Sequence, residues 1–270
     1  MRIFISADME GISGVVHWEQ CRRDGREHDM ARRLMTAEVN AAIEGALSAG
    51  ATEIIVNDSH STMRNLFPDQ LHPGAQLITG SAKSLSMMEG MQDGEYACAL
   101  FVGYHARMNR GGVLSHTYSA AVFREVRLNG QVMGETGINA ALAGSFGVPV
   151  ALVTGDDQVC QEAQELIPGI VTAEVKQARS RFSARCLHPQ EACNLIRSRA
   201  QTAVTAAVQP LILAQPVTLD ISFIHAGQAE IAKALPGIEA VDPTTLRFTG
   251  ESMLQTFQVM RALLTLGGSV

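Results

Sequence analysis

The first 155 residues alternate between short apolar runs and longer amphipathic segments. Several of the runs are apolar throughout, which is typical of parallel strands covered on both faces. The five runs that predict strands read RIFISA, TEIIVND, AQLITG, ACALFVGYH and PVALVTGDD. Because strand and helix signals alternate, the pattern predicts an α/β fold with a mostly parallel sheet flanked by helices.

Two of the segments between these strands predict helices. In the longer one, residues 29–50, the apolar side chains can share one face, and Gly50 is a typical helix end. Asp29 is predicted to cap its start, because a carboxylate accepts from the free N–H groups of a first turn. The second helix is predicted over residues 134–147.

The pair Asn129-Gly130 indicates a hairpin between strand-like flanks, so the sheet is expected to be mixed. After residue 160 the regular alternation of strand and helix signals ends. We therefore predict a second, smaller α/β domain over residues 161–270 beside a first domain over residues 1–160. The elements predicted for this second part are strands near 170–176, 217–224 and 244–249 and helices near 189–206, 227–235 and from 251.

Composition narrows the function classes. The chain has 270 residues, a formal charge of −6 and a pI of about 5.7, and no basic cluster is interleaved with aromatics, so no nucleic-acid partner is expected. No apolar run is long enough for a membrane span, and the first residues lack a signal-peptide pattern, so we expect a cytoplasmic protein without a membrane partner. The five cysteines are widely spaced and form no CxxC pair, which argues against disulfides or a cysteine zinc site.

Polar residues follow the apolar runs at the ends where ligands bind in an open α/β sheet. Asp8 and Glu10 come directly after the first strand and, two positions apart, can point to one spot. Two like charges there need a cation or a shared proton. His60 follows the second strand, His105 follows the fourth, and Glu135 opens the helix after the hairpin. Each has a structural alternative, such as a cap or a packing histidine, but the set favours a metal site.

Carboxylates and imidazoles without thiolates suit Zn²⁺, and also Mn²⁺ or Co²⁺. Five ligands are too many for one catalytic zinc, which has about three protein ligands and an open position. They suit two metals about 3.5–4 Å apart, usually joined by a bridging carboxylate. Asp8, a short acid at a strand tip, fits that bridge, and His116 would then remain as a base beside metal-bound water. The pattern therefore predicts a two-metal hydrolase.

Several blocks of the sequence resemble the DppA-type D-aminopeptidases, a family of zinc peptidases. The resemblance runs nearly from end to end of the chain. The blocks that carry it are DMEGISG at 8–14, VNDSHS at 56–61, LHP at 71–73, GYHAR at 103–107, SHT at 115–117, GETGINA at 134–140, GDD at 155–157 and ELIPG…VKQ…SR between 165 and 181. Together these blocks are specific, although each alone is weak.

The resemblance implies a zinc-dependent enzyme that hydrolyses the N-terminal peptide bond of short peptides carrying a D-residue at the N-terminus. The ligands it implies for two zinc ions per chain are Asp8 as the bridge, Glu10 and His60 at one ion, and His105 and Glu135 at the other. His116 matches the catalytic histidine of the family. The resemblance also implies a ring-shaped, decamer-like homo-oligomer with active sites facing an internal channel.

Two other functions compete with this interpretation. A phosphatase of the haloacid-dehalogenase type also has acids two apart after its first strand, but its second acid is normally Asp, and His60, His105 and His116 would have no role. A non-catalytic metal- or peptide-binding protein would have structural metals, whose sites are closed and often rich in cysteine. The predicted ligand set contains no cysteine and leaves a spare histidine.

Overall fold

The computed structural model describes all 270 residues, arranged around two β-sheets. The strands, in chain order, are β1 (Arg2–Ala7), β2 (Glu53–Asp58), β3 (Gln76–Ile78), β4 (Cys98–Tyr104), β5 (Phe123–Leu128), β6 (Gln131–Val132), β7 (Val150–Asp156), β8 (Val171–Ser180), β9 (Ser183–Cys186), β10 (Val217–Phe223), β11 (Glu239–Ala240) and β12 (Thr245–Gly250). The helices are α1 (Trp18–Cys21), α2 (His28–Ser48), α3 (Glu135–Ser145), α4 (Asp157–Leu166), α5 (Pro189–Val204), α6 (Ala226–Ala232) and α7 (Met253–Gly267). No helix combines the length and apolar character that crossing a bilayer requires.

The larger sheet has seven strands in the order β3-β2-β1-β4-β7-β8-β9. All its neighbours pair in parallel except β8 and β9, which are antiparallel. Every residue of β4 and β7 is buried, because helices and loops cover both faces of the sheet. The predicted α/β fold with a mostly parallel, mixed sheet is confirmed.

The smaller sheet has five antiparallel strands in the order β11-β12-β10-β5-β6. The predicted hairpin is present, with Asn129 at φ 48° and Gly130 at φ 79° between β5 and β6. It belongs to this second sheet, however, and the antiparallel pair of the larger sheet is β8-β9, of which β9 was not among the predicted strands. The predicted boundary at 160 falls between β7 and β8, which are neighbours in one sheet, because the chain enters the smaller sheet at β5 and returns to it only at β10.

Acidic side chains lie at the starts of α4 and α2, but only one of them caps its helix. Asp156 caps α4 by accepting from the backbone N–H groups of Gln158 and Val159 at 3.1 and 2.9 Å. The prediction for Asp29 is wrong: α2 begins one residue earlier, and Glu27 holds the cap position without a side-chain hydrogen bond. Asp29 instead contacts Arg32 one turn on, at 3.3 Å, so its carboxylate is used by a neighbouring guanidinium.

The loop after β1 is held by a buried lysine of β8. The Lys176 side chain is 1% exposed, and its Nζ donates to the carbonyl oxygens of Glu10 at 2.5 Å, Ile12 at 3.0 Å and Val15 at 2.6 Å. Three acceptors match the three hydrogens of an ammonium group. Lys176 therefore fixes the backbone of the segment that carries Glu10.

The same loop packs directly on β4. A Cβ atom on Gly11 would lie 2.0 Å from the carbonyl oxygen of Tyr104, and one on Gly103 would lie 2.3 Å from that of Asp8. Only residues without side chains allow this approach. On its other side, the backbone N–H of Ser13 donates to the buried Glu38 at 2.8 Å. The loop is thus fixed from three directions.

We predict that Lys176→Met lowers the free energy of unfolding by about 3 kcal/mol, because three buried carbonyl oxygens lose their donor. Lys233→Met is the matched control, since Lys233 is exposed and surface substitutions usually change stability by less than about 0.5 kcal/mol. Urea unfolding of both variants at equal protein concentration measures the difference. Equal stability of the two variants would contradict the role given to Lys176.

Candidate metal centre

A cavity of about 540 Å³ lies beyond the carboxyl ends of β1, β2 and β4. The six site residues predicted from the sequence all line it: Asp8, Glu10, His60, His105, His116 and Glu135. Parallel pairing explains why they meet, because the three strands end at the same edge of the sheet. Glu135, the first residue of α3, reaches the cavity from the helix that follows the hairpin.

Asp8 lies between two histidines and turns a different oxygen toward each. Its Oδ1 is 3.1 Å from Nδ1 of His60, and its Oδ2 is 3.5 Å from Nε2 of His105. Glu10 Oε2 is 2.9 Å from the same nitrogen of His60, and Glu135 Oε1 is 3.3 Å from that of His105. The five side chains thus form two groups that share one carboxylate.

Hydrogen bonds to backbone carbonyls orient both histidines. Nε2 of His60 is 2.9 Å from the carbonyl oxygen of Cys21, and Nδ1 of His105 is 3.0 Å from that of Ala106. Because a carbonyl oxygen only accepts, these nitrogens carry the hydrogens, and a neutral ring then presents a lone pair on its other nitrogen. Those lone pairs face carboxylates, an arrangement that requires positive charge between them. Metal-binding histidines are commonly oriented in this way.

Three buried ligand atoms in this cluster have no hydrogen-bond partner: Oδ2 of Asp8, Oε2 of Glu10 and Nε2 of His105. These three residues are at most 3% exposed, and buried polar atoms are nearly always paired. The donor set of carboxylates and imidazoles suits zinc. The residues present therefore fit a cluster of bound divalent cations.

The pKa values follow from burial and from the charges packed together. Burial, with the charge of Glu10, raises the pKa of Asp8 to about 7. Burial opposes ionisation of Glu10 and Glu135 as well, but the charges of His60 and His105 outweigh it and lower both pKa values. Burial disfavours the charged imidazoles too, yet Glu135 raises the pKa of His105 to about 10, and Glu10 raises that of His60 well above its usual value. The acids need positive charge beside them, which protons or a metal can supply.

His116 lies at the edge of this cluster. Its ring stacks on that of His105 with centroids 4.0 Å apart, and the edge of Trp18 packs against it at 5.5 Å. Nδ1 donates to the carbonyl oxygen of Leu114 at 2.9 Å, which leaves Nε2 as an acceptor, 3.8 Å from Glu135. Burial and the charge of His105 lower its pKa. His116 therefore offers a proton acceptor at the cavity wall.

The other polar residues at strand ends serve the fold. Asp58 accepts from the backbone N–H of Asn65 at 2.5 Å and of Leu66 at 2.8 Å, which fixes the loop after β2. Asn57 accepts from Nζ of Lys83 at 2.6 Å. These residues do not line the cavity.

Some residues of the site carried no signal in the sequence. The short helix α1 was not predicted, yet it places Cys21 so that its sulfur lies within 4.8 Å of ligand atoms of Glu10 and His60. Tyr118 donates its backbone N–H to Glu135 at 2.6 Å and its hydroxyl to Asn139 at 2.7 Å. Cys21 has no cluster residue near it in the sequence. Tyr118 lies two positions after His116, but it contacts Glu135 through its backbone N–H, which no side-chain pattern indicates.

Comparison with known proteins identifies the family of the chain. Residues 1–262 match the model of the M55 peptidase family, which is described as D-aminopeptidase. A D-aminopeptidase of Bacillus subtilis (strain 168) is 42% identical over 263 residues, which cover 96% of this chain and 95% of that protein.

A solved structure shares the fold over the entire chain. It is described as the Zn-dependent D-aminopeptidase DppA from Bacillus subtilis, a self-compartmentalizing protease. The TM-score is 0.96 at 40% sequence identity, and the match covers 100% of this chain and 99% of the other. With a family match over nearly all its residues and a relative of this similarity, the chain belongs to the M55 family of D-aminopeptidases.

Proposed function

We propose that the protein is a zinc-dependent aminopeptidase that removes a D-residue from the N-terminus of short peptides. The observation that carries this proposal is the Asp8 carboxylate, which presents one oxygen to each of two histidines already oriented as ligands. Family membership supports the reaction, and the zinc dependence of the DppA relative supports the metal. The cytoplasm remains our expected location.

We assign the proposed ligands to two zinc ions according to which carboxylate lies next to which histidine. Asp8 would be shared by both ions, Glu10 and His60 would hold one of them, and His105 and Glu135 would hold the other. When bound, the two ions supply a Lewis acid for the scissile carbonyl and a water molecule of lowered pKa. A free α-amine of the substrate would meet the carboxylates of this acidic floor, which explains a preference for the N-terminal bond.

His116 is the proposed general base. Its Nε2 accepts a proton from the attacking water and then passes it to the amine that leaves. The hydrogen bond from Nδ1 to Leu114 and the stacking on His105 hold the ring in position for this transfer. A ring nitrogen of His116 also lies within 4.8 Å of ligand atoms of His105 and Glu135. Because His116 is not one of the five proposed ligands, removing it should leave those five in place.

The alternatives considered from the sequence find less support. A haloacid-dehalogenase-type phosphatase gives no role to His60 and His105, whose lone pairs both face the acids. A non-catalytic binding protein gives no role to His116. The family match also favours a peptidase.

We predict close to two metal ions per chain in the purified protein, and fewer in Asp8→Ala than in Glu10→Ala or His60→Ala, because only Asp8 belongs to both ligand groups. Metal analysis by mass spectrometry after dialysis measures this. Chelation should abolish activity and zinc should restore it. If Asp8→Ala keeps both metals and full activity, the bridging role is wrong.

The two stacked histidines should respond differently to substitution. His116→Ala is expected to keep the wild-type metal content while kcat falls by about 10²–10⁴-fold, the usual effect of losing a general base. His105→Ala should lose one of the two ions and recover partly at high added zinc. Metal analysis beside steady-state kinetics on a D-alanyl anilide distinguishes them, and the reverse pattern would exchange their roles.

We also propose a ring-shaped, decamer-like homo-oligomer, supported by the self-compartmentalizing description of the DppA relative. Light scattering coupled to size exclusion should give a mass several times the 28.9 kDa of one chain. A fully active monomer would contradict this proposal.

A further inference from the structure

The cavity lining carries positive side chains in addition to its acids. Three arginines line it, namely Arg22, Arg181 and Arg261. Arg22 is exposed at the rim, and Arg181 already donates to the carbonyl oxygen of Ser115 at 3.2 Å. Arg261, on α7, is half-buried. Its backbone carbonyl accepts from Thr265, but its guanidinium forms neither a hydrogen bond nor an ion pair within the chain. A guanidinium group in that position has donors available for a ligand.

Arg261 is held close to the metal centre without using those donors. Its guanidinium carbon lies 5.6 Å from the centre of the Tyr118 ring, a cation–π contact that pairs none of its N–H groups with an oxygen or nitrogen acceptor. Tyr118 is itself fixed, because its backbone N–H donates to Glu135 and its hydroxyl to Asn139. One tyrosine residue therefore separates the guanidinium from a proposed zinc ligand.

The charges of the cavity match those of a short peptide in its ionised form. Such a substrate has a positive amine at one end and a carboxylate at the other, and the cavity has acids at its floor and Arg261 on its wall. An extended dipeptide spans about 7 Å and a tripeptide about 11 Å. Arginine is the side chain best suited to a carboxylate, which it binds through two parallel hydrogen bonds.

We propose that Arg261 binds the C-terminal carboxylate of a di- or tripeptide substrate and so makes the enzyme selective for short peptides with a free C-terminus. This inference rests on the proposed aminopeptidase function and names a specificity residue for it. Arg261 lies on α7 of the smaller sheet's layer, whereas the ligands come mainly from the larger sheet. The distance from Arg261 to the proposed metal ligands would thus limit the length of the peptides that bind productively.

The test compares D-alanyl-D-alanine with its C-terminal amide, which differ only in the charge at the proposed contact. For Arg261→Gln, kcat/KM on the free acid should fall by about 10- to 150-fold, mainly through KM, which corresponds to a charged hydrogen-bond pair of about 1.5–3 kcal/mol. On the amide, kcat/KM of Arg261→Gln should change by less than about threefold, because this substrate has no carboxylate for Arg261 to bind. Arg261→Lys should recover part of the loss.

Arg181→Gln is the matched control and should keep the acid-to-amide ratio of the wild type, because its guanidinium is already bonded to Ser115. Retained metal and retained amide hydrolysis in Arg261→Gln show that the variant is folded. If that variant loses both substrates equally or neither, or if selectivity disappears in Arg181→Gln, the inference is overturned while the peptidase function stands. If the zinc-loaded wild type hydrolyses neither substrate, the proposed function fails first.

Discussion

Two carboxylates, Asp8 and Glu10, are buried together where a core strand ends, and much of the surrounding structure accommodates their charge. Such a pair is stable only beside positive charge. His60 and His105 are each turned by a backbone carbonyl so that a lone pair faces these acids. Repulsion between the two buried carboxylates destabilises the cluster when no cation is present. The same negative charge would attract a cation strongly.

The fold contributes rigidity to this cluster. Lys176 fixes the backbone of the Glu10 loop from β8, while Gly11 and Gly103 let that loop lie directly on β4. Proposed ligands on such a framework would keep their geometry without metal, so binding would cost less free energy than ordering a flexible loop. Contacts between segments that are distant in sequence thus stabilise the loop in which the two buried acids repel each other.

The smaller sheet gives the cavity its second wall. Between β4 and β5 the chain carries His116 and Tyr118 past the proposed metal ligands, and α7 places Arg261 near the ring of Tyr118. The proposed catalytic groups therefore lie mainly at strand ends of the larger sheet, whereas Arg261, the proposed specificity residue, lies on α7. A change in α7 could therefore alter specificity without disturbing the metal ligands.

The sequence by itself determined the parallel strands, the hairpin at Asn129-Gly130 and the six polar residues that meet in the cavity, because strand ends of one sheet converge and apolar runs mark those ends. It could not reveal Lys176, Cys21 or Arg261, or the fact that β8 continues the larger sheet. Those features depend on contacts between distant segments, such as the one that joins residues 10 and 176. Only the tertiary structure brings such segments together, since hydrophobic packing, and not local periodicity, decides which of them become neighbours.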